Sequence, residues 1–144
     1  MNASAADANV NRTLSLAGTC TAVFTFTLVF LFPKFSAGEL DPILFQAALA
    51  ASGVSILSIA YSGMNYYILT LAVEHSIERA ERYRRRADWV WQVGFALFLL
   101  QPSLILFSVG LFVVASFFLA LWLLYFILIV KVFRETQGWI RKGV

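Results

Sequence analysis

WVWQVGFALFLLQPSLILFSVGLFVVASFFLALWLLYFILIV, residues 89–130, runs for 42 residues without a formal charge. As one helix it would be about 63 Å long, twice the roughly 30 Å hydrocarbon core of a bilayer. The stretch therefore has to fold back on itself. Two places offer a turn. Gln101-Pro102-Ser103 leaves only residues 89–100 in front of it, about 18 Å of helix, too short to cross. Ser108-Val109-Gly110 divides the stretch into 89–107 and 111–130, which are 19 and 20 residues and each a full span. The second division is the one that the lengths allow. Pro102 then lies inside a helix as a kink, with its freed carbonyl open to Ser103, Gln101 or a neighbouring helix.

Upstream lies a second apolar stretch, 43–73, introduced by Leu40-Asp41-Pro42. These residues read as N′, N-cap and N1, with Leu40 set to staple against Phe45 at N4. The stretch amounts to about 46 Å of helix, more than one crossing needs, so this helix is expected to tilt or project. Glu78/Arg82 and Glu81/Arg85 stand four apart in the favourable order, and no Gly or Pro interrupts residues 64–88. The second helix is therefore expected to continue past the headgroups as a charged stalk over 74–88, turning near Arg84 to Asp88.

The first apolar stretch, 14–32, also matches one crossing, and Pro33 follows it as a stop signal. It is longer than the apolar region of about 7–15 residues in a secretory leader, and only Arg12 precedes it, so it reads as a retained span.

Charge orients these spans. Ten of the eleven Lys and Arg residues fall in three segments: Arg12; Arg79, Arg82, Arg84, Arg85 and Arg86; and Lys131, Arg134, Arg141 and Lys142. Lys34 stands apart, beside Glu39 and Asp41. This alternation is the positive-inside pattern of a chain crossing a bilayer four times. The expected object is an all-α, four-span protein of the inner (plasma) membrane, with both termini cytoplasmic. Residues 1–13 form a short N-terminus, 14–130 the transmembrane domain, and 131–144 a basic tail that alternates apolar and basic residues along the interface.

Composition agrees: 60% of the 144 residues are apolar and 13% charged, which places the chain in the membrane class. The net charge of +3 flanks spans and suits anionic headgroups, not nucleic acid. The single cysteine, Cys20, cannot form a thiol pair, and the single histidine, His75, cannot form a haem or metal site by itself. Glu74 and His75 fall at the membrane edge. Catalysis needs acid, base, nucleophile or metal ligands brought together, and too few such groups fall at membrane depth. The chain reads as a non-enzyme without a cofactor.

The polar inventory points to helix contacts. On the second helix Ala48, Ala51, Ser52, Ser55, Ser58, Ser62, Asn65, Tyr66 and Thr70 share one face, while Leu57, Met64 and Leu71 lie on the other. Small and hydroxyl residues let helices approach closely in lipid. Ala17, Thr21 and Thr25, with Gly18 and Ala22, are expected to form the matching stripe on the first helix, and Ala115, Ser116 and Ala120 a close-approach patch on the fourth. The expected function is a non-catalytic subunit or scaffold of a membrane complex, self-associating or bound to a larger membrane partner. Its surface for lipid or partner is Arg79, Arg82, Arg84, Arg85 and Arg86. The alternative is an oligomeric channel or transporter subunit with Ser55, Ser58, Ser62, Asn65 and Tyr66 lining the path.

Overall fold

The computed structural model describes the backbone of residues 3–71 and 77–141, with side chains described over 7–71 and 80–131. Four helices account for nearly all of it: α1 (Ala3–Ser36), α2 (Pro42–Leu71), α3 (Ile77–Ser108) and α4 (Phe112–Arg141). Each contains a segment long and apolar enough to cross a membrane. In hydrocarbon a helix is favoured because it satisfies every backbone donor and acceptor within one segment.

Two tight turns at one end of the bundle are built alike. α1 closes on Gly38 at φ 75° and α3 on Gly110 at φ 80°, left-handed values that a residue without Cβ adopts freely. Around them Glu39 N donates to Lys34 O and Gly38 N to Phe35 O, and likewise Leu111 N to Leu106 O and Gly110 N to Phe107 O. Each set is the double bond of a Schellman motif. The division of residues 89–130 at Ser108-Val109-Gly110 is thus the one the chain adopts. The N-cap of α2 also forms as read: Asp41 Oδ1 accepts from Ile43 N at 3.0 Å and Leu44 N at 2.9 Å. Asp41 N donates to Ser108 O at 3.1 Å, tying the two turns together.

The helix ends differ from expectation in two places. The charged segment is not a continuation of the second helix: α2 ends at Leu71, and the segment from Ile77 onward is the first part of α3. Ala87 is already buried against α2, so the arginines must be collinear with the apolar stretch that follows them. A charged helix without Gly or Pro joins equally well to either neighbour, and the pattern along the chain could not say which. The charged segment is helical, but as the start of the third helix. Glu74 and His75 lie outside the described residues. Second, Pro33 sits within α1, which runs on to Ser36. Proline removes one amide donor there, while its own carbonyl accepts from Ala37 N at 3.0 Å and Ser36 Oγ at 2.8 Å.

The helices pack along seven-residue lines. α2 buries Phe45, Ala48, Ser52, Ser55, Ile59, Ser62 and Tyr66, alternating steps of three and four. α3 buries Ala87, Gly94, Gln101 and Ser108, each seven residues after the last, and α1 buries Thr13, Cys20 and Thr27 in the same rhythm. A repeat averaging 3.5 residues per turn is the signature of left-handed packing. α2 and α3 form the central pair, α1 lies on α2, and α4 lies on α3. α4 is held on one side only, through Ala115, Leu119, Trp122 and Tyr125, while Val113 is 86% and Ile127 61% exposed.

Candidate functional site

The α2 face gathers several buried polar groups, and α3 covers it. Ser55 Oγ donates to Gly94 O at 2.7 Å, and Ser62 Oγ donates to Ala87 O at 2.8 Å. Both serines are fully buried. Gly94 explains how the two backbones come so close. A Cβ built there would stand 2.9 Å from Ile59 Cγ1, 3.0 Å from Ser58 Cβ and 3.1 Å from Ser55 O. Ser58 is half-buried at this crossing. Asn65 Nδ2 donates to Tyr61 O of its own helix at 2.8 Å. Tyr66 OH donates to Asp88 Oδ1 across the α2–α3 contact. Four of the five face residues, Ser55, Ser62, Asn65 and Tyr66, are therefore buried and hydrogen-bonded inside one chain.

The expected partner stripe on α1 is not the one used. Gly18, Thr21, Ala22 and Thr25 are exposed, and Ala17 is only half-buried. A Cβ added at Gly18 would meet nothing within 4 Å. The buried face of α1 is Thr13, Cys20 and Thr27 instead. Thr21 Oγ1 turns back to Ala17 O at 2.9 Å and Thr27 Oγ1 to Val23 O at 2.8 Å, so hydroxyl content did not by itself mark the seam. On α4 Ala115 is buried but Ser116 and Ala120 are exposed. Near Pro102 the expected rescue of the freed carbonyl takes another form. Gln101 Nε2 reaches Thr27 Oγ1 of α1 at 3.4 Å, and Ser103 Oγ donates to Ala115 O of α4 at 3.0 Å. The kink residues thus stitch α3 to both outer helices.

The basic surface lies on the first turns of α3. Arg82, Arg84, Arg85 and Arg86 are exposed, and the Arg79 side chain lies outside the described residues. Arg84 forks onto Glu81 at 2.9 and 3.1 Å, and Arg85 approaches the same carboxylate at 3.6 Å. Exposed pairs of this kind contribute about 0.3–0.5 kcal/mol; they hold the arginines on the helix without neutralising the surface.

A third feature escaped the reading of the sequence. At the end of the bundle that carries these arginines, α1 and α4 stand apart over α3 and leave a groove of about 590 Å³. α1 lines it with Arg12, Ser15 and Thr19, α3 with Trp91 and Phe95, and α4 with Tyr125. The Arg12 guanidinium lies 4.4 Å from the centre of the Trp91 ring. Trp91 and Phe95 stack at 5.1 Å, and Phe95 meets Tyr125 edge-on at 5.7 Å. Trp89, two residues before Trp91, is exposed. The groove is revealed by the meeting of residues 12, 91, 95 and 125, three segments far apart in the chain.

Among the described residues no three His, Cys, Asp or Glu side chains converge. No protein-family model, curated protein or solved structure matches the chain.

Proposed function

We propose that this chain is a non-catalytic multi-pass membrane protein, a subunit or scaffold of a membrane complex whose basic end faces the cytoplasm of a plasma-type membrane. The observation that carries the reading is the pair of bonds Ser55–Gly94 and Ser62–Ala87. They engage the polar face of α2 in holding the bundle together, which favours a packing seam over a path. What remains for function is surface. α4 offers a long apolar side at membrane depth, and Arg82, Arg84, Arg85 and Arg86 offer a cationic one beyond it. Basic residues at such an interface gain about 1 kcal/mol each from an anionic leaflet, and the same charges suit an acidic protein surface.

Copy number and flux test this reading. The purified protein is counted in detergent by light scattering and reconstituted into vesicles for ion-flux measurement. The scaffold reading expects no flux, together with an assembly of copies or a co-purifying membrane protein whose recovery falls when Arg84, Arg85 and Arg86 are all replaced by Gln. Unchanged recovery removes the docking role of the arginines. Flux that disappears in Asn65→Leu would overturn the reading in favour of an oligomeric conduit, which requires α3 to leave the face it covers.

A further inference from the structure

The groove between α1 and α4 has a character that the seam and the basic collar do not share. Its mouth carries a cation, its floor is aromatic, and no acidic residue lines it. Arg12 makes no ion pair among the described residues. Arg12 Cζ lies 4.4 Å over the Trp91 ring, and a guanidinium held by such a contact still carries N–H donors that take phosphate in a fork. From Arg12 to Thr19 the groove follows α1 for about 10 Å. Along that descent the lining passes from the charge of Arg12 to a mixture of Leu16, Thr19 and the Phe95 ring, so the one charge stands at the headgroup end of the groove. The volume lies within the roughly 300–1,000 Å³ of small-molecule sites.

Access decides between a soluble ligand and a lipid. α1 packs on α2 and α4 on α3, and α1 and α4 do not close on each other. The groove is therefore open sideways, along helices whose outer faces carry Leu14, Phe26, Leu124 and Ile127 exposed. Arg12 also lies at the same end as the arginines of α3, where headgroups are expected.

We infer that the α1–α4 groove is a binding site for one anionic phospholipid, with its phosphate on Arg12 and an acyl chain laid against Trp91, Phe95 and Tyr125. The site is independent of the scaffold proposal and of the collar at Arg84 to Arg86, and it stands if either fails.

Trp91 supplies the readout. The protein is placed in phosphatidylcholine nanodiscs containing a small fraction of either tail-brominated phosphatidylglycerol or tail-brominated phosphatidylcholine, and the Trp91 fluorescence is taken as the difference between the chain and its Trp91→Phe variant. The expected result is that the anionic lipid quenches Trp91 at about one-fifth the mole fraction that the zwitterionic lipid needs, the preference of a single interfacial cation. Arg12→Gln abolishes the preference, Arg12→Lys retains most of it, and replacing Arg84, Arg85 and Arg86 together by Gln leaves it in place. Equal quenching by the two lipids in the unaltered chain overturns the inference, as does a preference that survives Arg12→Gln. Trp91 shielded from both lipids also overturns it, because a second copy or another helix then fills the groove.

Discussion

Ser55 and Gly94 meet where α2 and α3 cross: the serine hydroxyl donates to the glycine carbonyl at 2.7 Å, and no side chain fits between them. Lipid is as apolar as leucine, so helices in it associate through close packing and hydrogen bonds without a hydrophobic drive. The missing Cβ of Gly94 allows the approach, and the approach brings the hydroxyl into reach.

Gly94→Ala tests the closeness directly. Its Cβ would fall 3.1 Å from the Ser55 carbonyl oxygen, a backbone atom that moves only with the helix. Overpacking of this kind costs about 1–3 kcal/mol. Thermal unfolding in detergent should show Gly94→Ala less stable, and Gly94→Leu failing to form the native bundle. Gly18→Ala, where nothing lies within 4 Å, should match or slightly exceed the unaltered protein, since alanine favours helix by about 1 kcal/mol.

The two serine bonds should contribute modestly and separately. Ser55→Ala and Ser62→Ala are each expected to lower stability by about 0.6 kcal/mol, the average for interhelical bonds in a membrane. They bond to different carbonyls along the seam, so the double variant should lose about the sum. Steric-trapping measurements in bicelles resolve changes of this size. A loss several times larger in either single variant would mean that the hydroxyl does more than join two helices.

Tyr66 and Asp88 form the one side-chain pair across the α2–α3 contact among the described residues. A hydrogen bond to a charged group contributes about 1.5–3 kcal/mol. Tyr66→Phe and Asp88→Ala should each destabilise the bundle, and the double-mutant cycle should return a coupling in that range. Asp88→Asn keeps an acceptor and should cost less than Asp88→Ala. Near-zero coupling would place the two groups in water and not in contact.

The orientation proposed from the charge pattern is open to labelling. In a Cys20→Ser background, single cysteines at Gly38 and Gly110 should react with a membrane-impermeant maleimide applied to intact cells. A cysteine at Arg86 should react only after the cells are opened. Arg86 labelled from outside would reverse the orientation and move the proposed lipid site to the other leaflet.

Much of the fold was legible along the chain because its rules there are one-dimensional. Charge is expensive in hydrocarbon, so uncharged length counts the crossings. Asp41-Pro42 and Gly110 marked real helix ends, since capping and left-handed turns depend on residues only a few positions apart. The polar face of α2 was visible for the same reason. Its partner was not. Gly18, Ala22 and Thr25 looked as suitable for a close contact as Thr13, Cys20 and Thr27 do, and α1 uses the second set.

By itself, then, the order of amino acids determined four apolar helices, two tight turns and a concentration of positive charge at one end. Tertiary structure decided that the charged segment begins α3 and which seven-residue lines form the seams. It also placed Arg12 over Trp91 beside Tyr125. The physical reason is that apolar residues look alike to lipid and to a neighbouring helix. Hydrophobicity separates inside from outside in water, but within a membrane only the fit of one surface against another does so, and that fit exists only once the helices have met.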